Sequence, residues 1–390
     1  MLILSVLAVT RILTGADDIS SPGTLRAALV SAIPIALAGL GGLWSERAGV
    51  VNIGLEGMMI LGTLGAGYYT YYYGVWVGVV GALAFGAIGG VLHAVATVVF
   101  NVDHIVSGVA INIIAAGAAS FLAELFFSGM PGGGPTQSPS LDKPPTITIP
   151  GLSDASASLA DKEWFLISDL SALVNALVSG MSLLTLLALA LIFGTGWLLW
   201  KTSFGLRLRS CGESPTAAET LGVHVYRYKF LAVVASGMFA GLGGAYLTLV
   251  ASSGYQNGST NGKGYIGLAA MIFGNWRPGG LLTGSLLFGY TEGARLRSGG
   301  ESVHALLLIV VVALLALAVW QIRKQRWLTA GLAAGVGVLG LVWYLSVDEI
   351  PGDFTEMTPY VTTLLVLAVA SQRLRMPAAD GLRYRKGRAG

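Results

Sequence analysis

Apolar runs of about 20 residues follow one another along most of this chain, with charged residues confined to a few short segments between them. A run of that length, wound as an α-helix rising about 1.5 Å per residue, covers a hydrocarbon core roughly 30 Å thick. Lipid offers the backbone no hydrogen-bond partners, so only helices or a closed barrel can cross it. The alternation of apolar and polar positions over about ten residues that barrel strands carry is not evident, which leaves helices. Charged residues make up 11% of the 390, against about 25% in soluble domains. The 55 glycines agree, because small residues let membrane helices approach closely.

The sequence therefore predicts an all-α fold, a polytopic transmembrane bundle of about 10–12 spans. Candidate spans are 24–43, 51–73, 75–100, 105–127, 181–200, 230–250, 264–276, 280–293, 303–321, 327–347 and 359–370. The seventh and eighth are short, as broken helices are. Residues 1–23 form an N-terminal segment whose apolar part is too short for a comfortable span and lacks the small-residue cleavage site of a signal peptide. Residues 24–326 read as the transmembrane domain, and 327–390 as extra spans ending in a basic tail.

Basic residues set the orientation. One link carries Lys201, Arg207, Arg209, Arg227 and Lys229, another Arg323, Lys324 and Arg326, and the tail Arg373, Arg375, Arg383, Arg385, Lys386 and Arg388. These segments, and with them the C-terminus, are expected on the cytoplasmic side of the plasma membrane. The acidic link with Asp348, Glu349, Asp353 and Glu356, and the Pro-, Ser- and Gly-rich loop 129–180, then lie outside. Arg295 and Arg297 also land outside, with Glu292 and Glu301 near enough to neutralise them. Tyr68, Tyr69, Tyr71, Tyr72, Tyr73 and Trp76 form an interfacial girdle, a reading preferred to nucleobase stacking. A net charge of +3 gathered at span ends calls for no nucleic-acid partner. Cys211 is the single cysteine, which excludes an intrachain disulfide and a cysteine metal cluster. His93 and His104 are isolated from one another and from other ligands in sequence, so no metal or cofactor is expected.

Two short patterns recur in the same order. Ala38-Gly39-Leu40-Gly41-Gly42 returns as Ala240-Gly241-Leu242-Gly243-Gly244, and Ile53-Gly54-Leu55 with Met58 returns as Ile266-Gly267-Leu268 with Met271. By the charge-derived parity the two sets run in opposite directions, an inverted repeat, which would put a substrate path near the midplane beside Gly-interrupted helices. The run from Ser45 to Met59 threads Glu46, Asn52, Glu56 and three glycines into the start of a span. A carboxylate at mid-span costs about 2.5–3.5 kcal/mol, so Glu56 either faces protein or water, or lies near a span end and complements a helix N-terminus. Between Phe204 and Val223, Pro215 suits the first position of a short helix, Ser214 its N-cap and Gly222 its stop.

With these segments the chain resembles the permeases of ATP-binding-cassette importers that handle ribose, branched-chain amino acids and nucleosides, the nucleoside branch above all. The resemblance rests on the Ser45 to Met59 run, Ile111-Asn112, the loop around Gly212-Glu213-Ser214-Pro215, and Gly264-Tyr265-Ile266-Gly267-Leu268-Ala269 followed by Pro278-Gly279-Gly280. It implies the inverted-repeat fold of type II importer permeases, with a coupling helix within 204–223 seated on a cytoplasmic ABC ATPase. Gly205, Arg207, Arg209, Gly212, Glu213, Ser214, Pro215, Ala217 and Gly222 would form that contact. It further implies a homologous second permease in a heterodimer and an extracytoplasmic substrate-binding lipoprotein. The chain itself is expected to be no enzyme. Its one glycine-rich run near a lysine, ending Gly262-Lys263-Gly264, has the wrong spacing for a phosphate-binding loop and no following Ser or Thr. Candidates for the substrate path are Asn52, Glu56, Ser107, Asn112, Gln256 and Asn257. Their amide, hydroxyl and carboxyl groups match sugar hydroxyls and base edges, and each equally fits a bond between packed helices. Nucleosides are the expected cargo, simple sugars the alternative, and a gradient-driven transporter using Glu56 as proton carrier the rival mechanism.

Overall fold

The computed structural model describes residues 2–162, 164–355, 357–358, 361–362 and 374–387. Its helices are α1 Leu2–Thr14, α2 Pro22–Arg47, α3 Leu55–Tyr73, α4 Val75–Ala94, α5 His104–Phe127, α6 Leu152–Ala160 and α7 Ile167–Val178, followed by α8 Leu183–Lys201, α9 Ser203–Glu213, α10 Pro215–Thr220, α11 Val225–Tyr246, α12 Lys263–Phe273, α13 Pro278–Arg323 and α14 Trp327–Ser346. Single π-helical turns extend α4 through Val99 and α11 through Ala251.

Seven described helices are long and apolar enough to cross a membrane. The other predicted spans correspond to α3, to the 11-residue α12, and to the part of α13 before Gly299, whose φ of 56° breaks that helix. Predicted span 359–370, apart from residues 361–362, falls outside the described residues, as do Glu356, Arg373 and Arg388.

Three boundaries differ from the sequence reading. Helix α3 starts at Leu55 rather than Val51, because Asn52 Oδ1 accepts the Gly54 N–H (3.0 Å) and folds the preceding residues into a turn. The loop 129–180 contains α6 and α7, and the N-terminal segment contains α1. A second helix, α9, precedes the predicted one, with Thr202 Oγ1 capping the Gly205 N–H at 3.2 Å.

The described residues fall into two compact units. In the larger one, Val30–Thr146, Ser182–Phe288 and Thr363–Gly390, helices α3, α4 and α11 pack at glycine-to-backbone distance. A Cβ added at Gly90 would come within 2.9 Å of Val233 O, and one at Gly241 would strike Ala82 O. The recurring glycines sit at these crossings. A Cβ at Gly39 on α2 would lie 2.5 Å from Gly267 O on α12, while Gly244 on α11 abuts Met59 O on α3. The first pattern of each repeat thus meets the second pattern of the other, or the turn just after it. That pairing is the one an inverted repeat would give.

In the smaller unit, Met1–Leu29, Ile147–Met181 and Gly289–Thr362, α1 is tied to α7 through Asp169. Its fully buried carboxylate pairs with Arg11 Nη2 (3.5 Å) and accepts from Ser20 Oγ (2.5 Å). Asn175 Nδ2 donates from α7 to Ser153 O at 2.9 Å, closing the α6–α7 hairpin. Arg295 pairs with Glu292 at 3.0 Å, the neutralisation expected from sequence.

Candidate substrate path and coupling surface

The turn before α3 organises the first group of predicted residues. Asn52 is fully buried and spends its amide on Ser236 Oγ of α11 (2.8 Å). Two histidines hold the same turn. His93 Nε2 donates to Val51 O (3.0 Å), so its Nδ1 accepts from Ser107 Oγ (2.9 Å), and the Val51 N–H donates to His104 Nδ1 (3.3 Å). Glu56, in the first turn of α3, reaches across to α12: Oε1 accepts from Gly262 N (2.9 Å) and Oε2 from Gly264 N (2.7 Å). The glycine run that resembles a phosphate-binding loop therefore holds an anion, the carboxylate of Glu56, at a helix N-terminus. Gly262 has φ of +76°, and a Cβ at Gly264 would lie 2.6 Å from Glu56 Cα, so both glycines are needed for this approach.

One turn along, Asn112 of α5 accepts the Gly57 N–H (2.8 Å) and donates to Ile53 O (3.0 Å) and Tyr265 Oη (2.9 Å). Tyr265 is 46% exposed, so an aromatic face stands beside a buried amide and carboxylate. Gln256 and Asn257 lie apart, on an exposed loop where Asn257 Nδ2 donates to Ser120 Oγ of α5 (2.9 Å).

The second group surrounds the end of α2. Arg47 donates from Nε and Nη2 to Trp276 O (2.9 and 2.8 Å), just past the end of α12, and its Nη1 lies 3.7 Å from Glu213 Oε1 at the end of α9. Arg47 and Arg209 each lie over the Trp200 ring, 5.3 Å from its centroid. Gly212 lets α9 touch α2, since a Cβ there would strike Arg47 O, and Gly205 likewise abuts Leu198 O. Pro215 opens α10, and Gly222 ends the turn after it with φ of +81°. Ser214 occupies the N-cap position, but its hydroxyl makes no capping bond. Arg207, Glu213, Ser214, Ala217 and Leu221 are exposed, Leu221 to 84%. Burial pushes the Cys211 thiol beneath them up to about 11.

Residues 24–319 match the family described as "Branched-chain amino acid transport system / permease component". The chain belongs to this permease family. The permease is 33% identical over 370 residues to the guanosine ABC transporter permease protein NupQ of Bacillus subtilis, covering 93% of this chain and 96% of the relative. It is 31% identical over 367 residues to the nucleoside ABC transporter permease protein NupC of Lactococcus lactis, covering 92% and 96%. It is 34% identical over 286 residues to the putative glucose ABC transporter permease protein TsgC13 of Haloferax volcanii, covering 72% and 79%. No solved structure matches the permease. Apolar helices and family together make it a multi-pass membrane protein.

Of the six path residues predicted for the permease, the structure gathers Asn52, Glu56 and Asn112, reaches Ser107 through His93, and leaves Gln256 and Asn257 on the loop. Tyr265, Ser236 and Arg47 join these networks without having been singled out. Signals for Tyr265 and Arg47 existed, since each lies in a run on which the family resemblance rests. Ser236 carried none, because its partner lies 184 residues away.

Proposed function

We propose that the permease is the membrane pathway of an ATP-driven nucleoside importer. The observation that carries the cargo is likeness over nine-tenths of the chain to two permeases named for guanosine and nucleosides. In this reading Leu221, Ala217 and Glu213 form a ridge that docks on a cytoplasmic ABC ATPase, which hydrolyses the ATP. Burying an exposed leucine such as Leu221 contributes about 2 kcal/mol to such a contact. A homologous second permease completes the pathway, and an extracytoplasmic substrate-binding lipoprotein delivers the cargo. The C-terminus lies on the ATPase side.

The geometry supplies a transmission. Helix α12, 11 residues and about 16 Å long, is the connecting rod. Arg47 grips the carbonyl of Trp276 beyond its far end, and Glu56 holds the N–H groups at its near end. Displacing α9 moves Arg47 and α2 through Gly212 and Glu213, and α12 carries the motion to Glu56, Asn112 and Tyr265. A proton-carrying role for Glu56 fits poorly, because both its oxygens are already engaged by the backbone N–H groups of Gly262 and Gly264.

Proteoliposomes holding the permease with its ATPase, second permease and binding protein should take up labelled guanosine only with internal ATP. Leu221→Asp should lower that uptake at least tenfold while leaving the melting temperature of the purified permease unchanged. Uptake driven by an ion gradient without ATP would refute the reading. Competition by unlabelled glucose but not by uridine would move the cargo to sugars.

A further inference from the structure

The basic tail was expected on the cytoplasmic side, and its described part lies along the coupling segment. Ala379 N donates to Gly212 O (2.8 Å), Ala378 N to Glu213 Oε2 (3.3 Å), Arg375 N to Asn275 Oδ1 (2.7 Å) and Tyr384 Oη to Glu219 Oε2 (2.5 Å). The Tyr384 ring packs on Tyr226 (5.2 Å between centroids) and closes a cluster with Cys211, Ala218 and Val225, leaving Cys211 with no exposed surface. Pro377, Ala379, Asp380 and Tyr384 are buried while Arg375, Met376, Leu382 and Arg383 face outward, the pattern of a segment seated on a surface. These bonds reach α9, α10, α11 and the turn after α12, of which α9 and α12 belong to the transmission above.

Asp380 is the unusual member. It is 7% exposed, with the Gly381 N–H turned to its carboxylate. Glu46, whose Oε2 accepts from Trp276 Nε1 (2.5 Å), lies beside it. Arg47 on α2 and Lys229 on α11 are the cations that face it, and Lys229 Nζ is bonded to Gly49 O (3.1 Å). Two carboxyl groups brought together away from water cannot both stay ionised at low cost.

We propose that residues 374–387 are a strap that positions α9 and α10 against α2, with Asp380 and Tyr384 as its positioning residues and the neighbouring carboxyl groups of Glu46 and Asp380 as its latch. Burial raises Asp380 to about 7 in the seated strap, with Glu46, Lys229, the Gly381 N–H and Arg47 pulling the other way, against its ordinary 3.8 when released. The seated form therefore holds a proton that the released form has lost between those values. Seating weakens about tenfold per pH unit as pH rises through that window and levels off above about 7. The geometry of the strap is independent of the importer reading; its consequence for coupling rests on it.

Cys211 is a built-in reporter, and the full-length permease labelled with N-ethylmaleimide tests the proposal. Tyr384→Ala should speed labelling at least tenfold, whereas Tyr384→Phe, which keeps the ring, should change it less than threefold. The ratio of wild-type to Asp380→Asn labelling, in which the thiol's own ionisation cancels, should rise about tenfold from pH 6 to pH 8. In the reconstituted importer Tyr384→Ala should lower uptake per ATP hydrolysed, with rescue by Phe. Unchanged labelling in Tyr384→Ala, a flat ratio between pH 6 and pH 8, or faster labelling with unaltered uptake per ATP would each overturn the strap. Absence of ATP-driven uptake in the wild type would instead overturn the importer reading and leave the labelling result standing.

Discussion

A Glu56→Ala permease is expected to melt well below the wild type and to accumulate no guanosine. The carboxylate satisfies the N–H groups of Gly262 and Gly264 at the start of α12, and no other acceptor is placed to replace it. Leaving a buried N–H without a partner costs about 1–3 kcal/mol, and bonds to a charged acceptor lie at the upper end. Losing both removes about 3–5 kcal/mol, and it frees the near end of the helix that carries the stroke. Glu56→Gln keeps one acceptor oxygen and should fall between. Thermal melts of the purified protein check the first part and uptake assays the second. A Glu56→Ala melt within one degree of wild type would show that α12 is held by something else.

The second large effect is steric. Gly241→Leu is expected to yield little folded permease, because its Cβ would strike Ala82 O and lie 3.0 Å from Gly86 Cα. Overpacking usually costs about 1–3 kcal/mol, and a clash with backbone leaves no rotamer in which to escape. The crossing of α4 and α11 would have to separate, and with it the contact of Gly241 with Gly62 on α3. Gly117→Leu on α5 is the control, since nothing lies within 4 Å of that position, and it should express and melt like the wild type. Size-exclusion profiles of the two variants side by side make the comparison. Equal monodisperse yields would contradict the packing account.

Most helices were legible because apolar runs and breakers decide them locally: Gly74 separates α3 from α4, and Pro278 opens α13. Where a distant partner decides, the sequence was mute. Glu56 admitted two readings, facing protein or complementing a helix N-terminus, and it does both, at the N-terminus of a helix more than 200 positions away. Helix α9 was hidden by its polarity, since Arg207, Arg209 and Glu213 resemble loop residues until Thr202 is seen to cap them. Tail arginines spoke only to orientation, whereas the tail's hold comes from the backbone N–H groups of Arg375, Ala378 and Ala379 and the Tyr384 hydroxyl. The repeated glycines were legible as a repeat, but their pairing needed coordinates.

Everything assigned to coupling requires that the α9–α10 ridge face a nucleotide-hydrolysing partner from the cytoplasm. A cysteine placed at Leu221 in a Cys211→Ala background measures this directly, with a membrane-impermeant maleimide and a short bifunctional cross-linker. Labelling from the cytoplasmic face alone, with a cross-linked product containing the ATPase that is lost on adding Leu221-flanking Ala217→Trp, is the predicted result. Labelling of position 221 only from outside the cell would contradict the account.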